Sequence, residues 1–165
     1  MAEMFKAAEI LKTAVRIEEN GIVFYREMVK KFEKKEFQDV FNFLAEEDEK
    51  HRQIFEDMLA KTEPYEMVGS YPGEYEAYLH AFADEHVFSK EKTGQIMAKK
   101  IKDIKEAVQF GIEVELDSIN YYQEIKRFVS EHQKDIIEKI VEEERSHFLK
   151  LSGIKKTLKQ GGGKR

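Results

Sequence analysis

The chain has 165 residues, a net charge of −5, 37% charged and 41% apolar residues, and no cysteine. That length supports one domain with a sizeable core, and the lack of cysteine excludes disulfides, thiolate metal sites, iron–sulfur clusters and a cysteine nucleophile. No apolar run approaches the ~20 residues of a membrane span, charges interrupt the N-terminus too often for a signal peptide, and the basic residues are interspersed with acids, unlike a nucleic-acid-binding face. The expectation is a soluble cytoplasmic protein with neither a membrane nor a nucleic-acid partner.

In chain order, residues 2–33 and 36–61 are predicted to form two long helices, broken near Lys34-Lys35. Residues 62–100 differ in character: they hold Pro64, Pro72, Gly69, Gly73 and Gly94 among many aromatics, and read as a long crossover with a short helix near 74–87. Two further long helices are predicted over 103–129 and 132–159, broken near Ser130-Glu131, and the tail 161–165 is expected to be flexible. Each pair of helices joined by a short turn makes an antiparallel hairpin. The fold class is therefore all-α: a four-helix bundle of two hairpins joined by the crossover, forming one domain over 1–160.

The two hairpins repeat each other. AVRIEENGIVFYREM at 14–28 aligns with GIEVELDSINYYQEI at 111–125, pairing Glu18 with Glu115, Ile22 with Ile119 and Tyr25 with Tyr122. LAEEDEKH at 44–51 aligns with IVEEERSH at 140–147, pairing Asp48 with Glu144 and His51 with His147. Such a repeat predicts a pseudo-twofold axis with matched residues facing each other.

Steps of four and three residues follow one face of each helix. On the first this face runs Met4, Ala8, Leu11, Val15, Glu18, Ile22, Tyr25, Val29, Phe32, and on the second Phe37, Phe41, Leu44, Asp48, His51, Phe55, Met58. On the third it runs Ile104, Val108, Ile112, Glu115, Ile119, Tyr122, and on the fourth Ile137, Ile140, Glu144, His147, Leu151, Ile154, Leu158. Every face is apolar at its ends and ionisable in the middle. Four buried carboxylates without partners would each cost several kcal/mol, and a metal centre supplies a reason to keep them. Two divalent cations balance four carboxylates, with neutral imidazoles completing the donor set. Residues three apart on a helix point the same way, so Asp48 with His51 can grip one ion and Glu144 with His147 the other, while Glu18 and Glu115 bridge the two. Oxygen and imidazole donors without thiolate suit iron or manganese.

Several positions stay open. Glu47, four residues before His51, competes with Asp48 as donor, although the repeat and the stricter face favour Asp48. Tyr25 and Tyr122 either pack in the core or hydrogen-bond a donor carboxylate. His80, Asp84 and His86 read as one polar surface helix, His132 as an exposed residue at a helix start, and Tyr71, Tyr75, Tyr78, Phe82 and Phe88 as cover for the bundle or for a dimer interface.

IEENGIVFY, LAEEDEKH, VELDSINYY and VEEERSH, in that order and with a long crossover after the second, resemble the rubrerythrin family of the ferritin-like superfamily over roughly residues 5–155. The resemblance implies metal ligands at Glu18, Asp48, His51, Glu115, Glu144 and His147, with Glu18 and Glu115 as the catalytic carboxylates and two iron ions (or manganese, or a mixed pair) as cofactor. It implies an oxidoreductase that reduces peroxide or reacts with dioxygen, and a homodimer. Ferroxidase or storage activity, or a non-catalytic metal-stabilised or sensor bundle, are the alternatives. Two departures stand out: Asp48 occupies a position where the family usually has Glu, and the four-cysteine rubredoxin-like domain of full-length rubrerythrins has no counterpart here, so electrons are expected from a separate, rubredoxin-type donor.

Overall fold

A computed structural model describes residues 7–61 and 72–161. The helices are α1 (Ala7–Lys31), α2 (Lys35–Ala60), α3 (Pro72–Glu85), α4 (Gly94–Lys100), α5 (Ile104–Ile125) and α6 (Glu131–Gln160), with no strand among the described residues. Pro64, Gly69, Tyr71, Met4 and the tail from Gly162 lie outside the described residues.

α1 packs along α2 and α5 along α6, so the two hairpins are the units of the bundle. Local sequence sets their ends. Ser130 starts α6 with a capping box: its hydroxyl accepts from the Gln133 backbone N–H while the Gln133 side chain accepts from the Ser130 N–H. Asp103 caps α5 by accepting from the Glu106 N–H at 2.9 Å. α5 stops at Ile125 and tightens into a 3₁₀ turn at Lys126–Phe128, four residues short of the expected end at 129.

Two apolar clusters fill the bundle. One joins Leu11, Ala14, Phe55, Tyr122, Ile125, Ile137 and Val141; the other joins Phe24, Met28, Phe41, Leu44, Val108, Phe110 and Leu151. The ionisable residues of the four helix faces lie between them, as the interrupted apolar pattern predicts.

The crossover carries two helices where one is expected. The second, α4, begins behind Thr93, whose hydroxyl accepts from the Ile96 N–H. The crossover is tied to the bundle at matched positions of the repeat: Asn20 Oδ1 accepts from the Gly94 N–H at 3.0 Å, and Asp117 Oδ2 accepts from the Val87 N–H at 3.1 Å. Gly94 sits so close to α1 that a Cβ would lie 3.1 Å from the Phe24 nitrogen and closer still to the Asn20 carbonyl. Backbone cannot yield as a side-chain end can, so Gly94→Ala is expected to lift α4 and cost about 1–3 kcal/mol, measured as a lowered thermal midpoint with the helical signal retained.

His86 corrects the expectation of a polar surface helix. It lies just beyond α3, buried and stacked on Phe88, and its Nδ1 accepts from the Phe88 N–H at 3.0 Å. Burial and the nearby Arg16 charge push its pKa down to about 3, so it is neutral. Asp84 is exposed, and the side chain of His80 lies outside the described residues. Phe82 stacks on Tyr121 and Phe88 packs on Phe24 and Phe110, so these crossover aromatics cover the bundle. His132 is exposed at the start of α6.

Candidate metal centre

α1 carries Glu18, α2 Asp48 and His51, α5 Glu115, and α6 Glu144 and His147; each of the six is at most 4% exposed. Glu144 stands between the two histidines. Its Oε1 is 2.7 Å from His51 Nδ1 and its Oε2 is 3.5 Å from His147 Nδ1. Glu18 Oε1 approaches His51 Nδ1 at 3.8 Å, and Glu115 Oε2 approaches His147 Nδ1 at 3.7 Å. The imidazoles face each other with centroids 5.8 Å apart and planes 24° from parallel.

These donors fall into two overlapping groups able to hold a cation: Glu18, Asp48, His51 and Glu144, and Glu115, Glu144 and His147. Within each group, one donor atom from every residue lies within 4.8 Å of the others. The shared member is Glu144. Glu18 and Glu115, expected to bridge, each stand in one group only. Spacing along a helix could not reveal this, because all three are glutamates on the ionisable faces of their helices.

The tyrosines hydrogen-bond across the pseudo-twofold axis. Tyr25 on α1 donates to Glu115 Oε1 at 2.8 Å, and Tyr122 on α5 donates to Glu18 Oε1. Both readings left open hold together: each tyrosine is buried in an apolar cluster and also hydrogen-bonds a carboxylate.

The electrostatics are those of a crowded layer of acids. Burial, then the charge of Glu144, raises Glu18 to about 8. Burial and neighbouring carboxylates raise Asp48 and Glu115 well above the usual range. Glu144 is held low: burial opposes ionisation, but the close approach of Glu115 and of both histidines outweighs it. Burial also opposes charge on His51 and His147, yet the carboxylates around them raise each to about 10.

His51 Nδ1, His147 Nδ1, Glu115 Oε2 and Glu144 Oε1 are buried without an aligned hydrogen-bond partner among the described residues. Buried polar atoms normally find a partner, and these four belong to the two donor groups. Two divalent cations would match both the charge of the four carboxylates and the unpaired atoms, so the residues present fit a two-metal centre.

The sequence model of the Rubrerythrin family matches residues 9–155. The chain belongs to the rubrerythrin family. It is also similar, at 26% identity and a TM-score of 0.71 over 93% of this chain and 96% of the other, to the crystal structure of a protein from Thermotoga maritima described as a ferritin-like diiron-carboxylate protein. No curated protein matches it.

This rubrerythrin-family chain keeps Glu47 out of the buried layer. Glu47 is half-buried, pairs with Lys50 Nζ at 2.5 Å, and joins an outer group with His51 and Glu143. Glu143 escaped the sequence reading. Its Oε2 lies 2.7 Å from His51 Nε2, so with Nε2 protonated it fixes the tautomer that turns the Nδ1 lone pair inward. A signal was there: Glu143 is the repeat partner of Glu47, but it lies one residue off the ionisable face of α6.

Tyr25→Phe and Tyr122→Phe are each expected to cost about 1–3 kcal/mol, because each leaves a buried carboxyl oxygen without its donor. Urea denaturation checks this, and a loss below 0.5 kcal/mol would reduce the tyrosines to packing.

Proposed function

We propose that this chain is a rubrerythrin-type oxidoreductase. Its two metal ions, iron or an iron–manganese pair, are held by Glu18, Asp48, His51, Glu115, Glu144 and His147, and it reduces hydrogen peroxide or reacts with dioxygen. The observation that carries the reading is Glu144, fully buried, with one oxygen toward each histidine of two donor groups. For peroxide the overall change is H2O2 + 2 e− + 2 H+ → 2 H2O. Redox-active ions held by these six residues would relay the electrons and polarise the O–O bond.

The chain's own residues do the rest. Tyr25 and Tyr122 orient Glu115 and Glu18 by hydrogen bonds, which keeps the carboxylates in place as the charge of the centre changes. The apolar clusters on either side restrict access of bulk water. Glu143 lines a cavity of about 410 Å3 between α2 and α6, with Ile54, Met58, Ile136 and Lys139; its contact with His51 joins the buried layer to that cavity. The electrons come from a donor outside these 165 residues, which contain no cysteine to build a rubredoxin-type centre, and a homodimer in the cytoplasm is the form we expect to act.

The test is peroxide consumption by the iron-loaded protein with a reduced rubredoxin-type donor. Turnover well above that of free iron, lost in Glu144→Gln, is the expected result. Turnover no faster than free iron would leave metal binding as the property and remove the reaction.

A further inference from the structure

The repeat is broken at two linked positions. Its register sets Asp48 against Glu144 and Gly21 against Ser118. Gly21 is buried, and a Cβ on it would fall 3.3 Å from Asp48 Cγ and far inside contact with Asp48 Oδ2. The carboxylate of Asp48 therefore rests against the bare backbone of α1, whereas the matched residue on α5, Ser118, carries a Cβ. Asp48 is one methylene shorter than Glu144 and enters only one donor group, whereas Glu144 enters both. One group thus has four donors, three of them carboxylates, and the other has three, two of them carboxylates.

Resting on the two-metal reading above, we propose that Gly21 and Asp48 act as a pair that makes the two metal positions inequivalent. The position at Glu18, Asp48, His51 and Glu144 fills first and tightly. The position at Glu115, Glu144 and His147 fills second, more weakly, and is the one left open to a small exogenous ligand. Donor number and carboxylate charge both favour the four-donor position, since affinity for hard divalent ions grows with each. The three-donor position keeps coordination sites that the protein does not occupy, as metal sites that exchange ligands do. Gly21 is a positioning residue here: it acts only through where it lets Asp48 lie.

Metal-free, full-length protein titrated anaerobically with Co2+, followed by calorimetry and visible absorption, tests this. Two binding events separated by at least about tenfold in Kd are expected. Azide should change the absorption after the second equivalent and leave it unchanged after the first. Gly21→Ser, which drives Asp48 off its seat, should weaken the first event and spare the second. Gly21→Ser with Asp48→Glu, which gives the first repeat the pattern of the second, should bring the events within about threefold. Two ions bound indistinguishably by the wild type, azide responding at the first equivalent, or a separation unchanged in the double variant would each overturn the inference while leaving the two-metal reading in place. No binding at all would remove both. The wild-type titration and azide response decide the matter even where the double variant does not fold.

Discussion

Glu144→Gln is expected to lose the most bound metal, because it weakens both positions, whereas Glu18→Gln and Glu115→Gln each weaken one and retain at least roughly half of the wild-type content. The difference follows from geometry. Glu18 serves the group built around Asp48 and His51, and Glu115 serves the group built around His147, but Glu144 stands in both. Glutamine keeps the length and volume of the side chain, so packing is preserved while the anionic donor is lost. The substitution also takes from His51 and His147 the carboxylate that lies 2.7 and 3.5 Å from them. Removing one partner of a buried ion pair costs about 3–5 kcal/mol, so the metal-free variant should melt lower as well. Elemental analysis of protein reconstituted anaerobically checks the metal content, and far-UV circular dichroism shows whether the bundle is intact. Equal losses in the three variants would mean that the centre has no shared carboxylate. Full retention in Glu144→Gln would mean that the buried layer is not the metal site.

Much of this arrangement was legible because the bundle is simple in the way sequence patterns are simple. A layer of six ionisable residues between apolar ends interrupts each helix face at the same height, and the repeat pairs Glu18 with Glu115 and His51 with His147. What stayed hidden depends on distances the pattern does not carry. The seven residues of α4 are too few to establish a period, and its position is fixed by Asn20, far away in sequence. His86 looks polar in its own segment, but its burial is decided by Phe88 and by the bundle beneath. Glu143 lies off the ionisable face of α6 and is recruited because α2 brings His51 Nε2 to it. Glu144 could not be distinguished from Glu18 and Glu115 as the shared donor, since all three are glutamates at matched heights and only their distances to the two histidines separate them.

The metal-free protein is expected to lose stability steadily as pH rises from about 5 to about 10, and metal should reverse the slope. Glu18 titrates at 4.5 in an exposed chain and at about 8 in the fold. Between those values the folded protein keeps a proton that the unfolded chain has released, and each such proton costs about 1.4 kcal/mol of stability per pH unit. Asp48 and Glu115 are raised in the same direction. His51 and His147 move from 6.5 to about 10, so their stabilising contribution is complete below 6.5 and is lost as pH climbs through 10. Glu144, held low, has the opposite sign, but its window lies below 4.5 and acts only on the acid side. Cations displace these same protons, so metal binding strengthens as pH rises. Thermal melts of metal-free and loaded protein from pH 5 to 9 should therefore diverge. Calorimetry in two buffers of different ionisation enthalpy should show protons released as metal binds. A metal-free midpoint independent of pH over that range would mean that the carboxylates ionise freely, and that the layer is wetter than its burial implies.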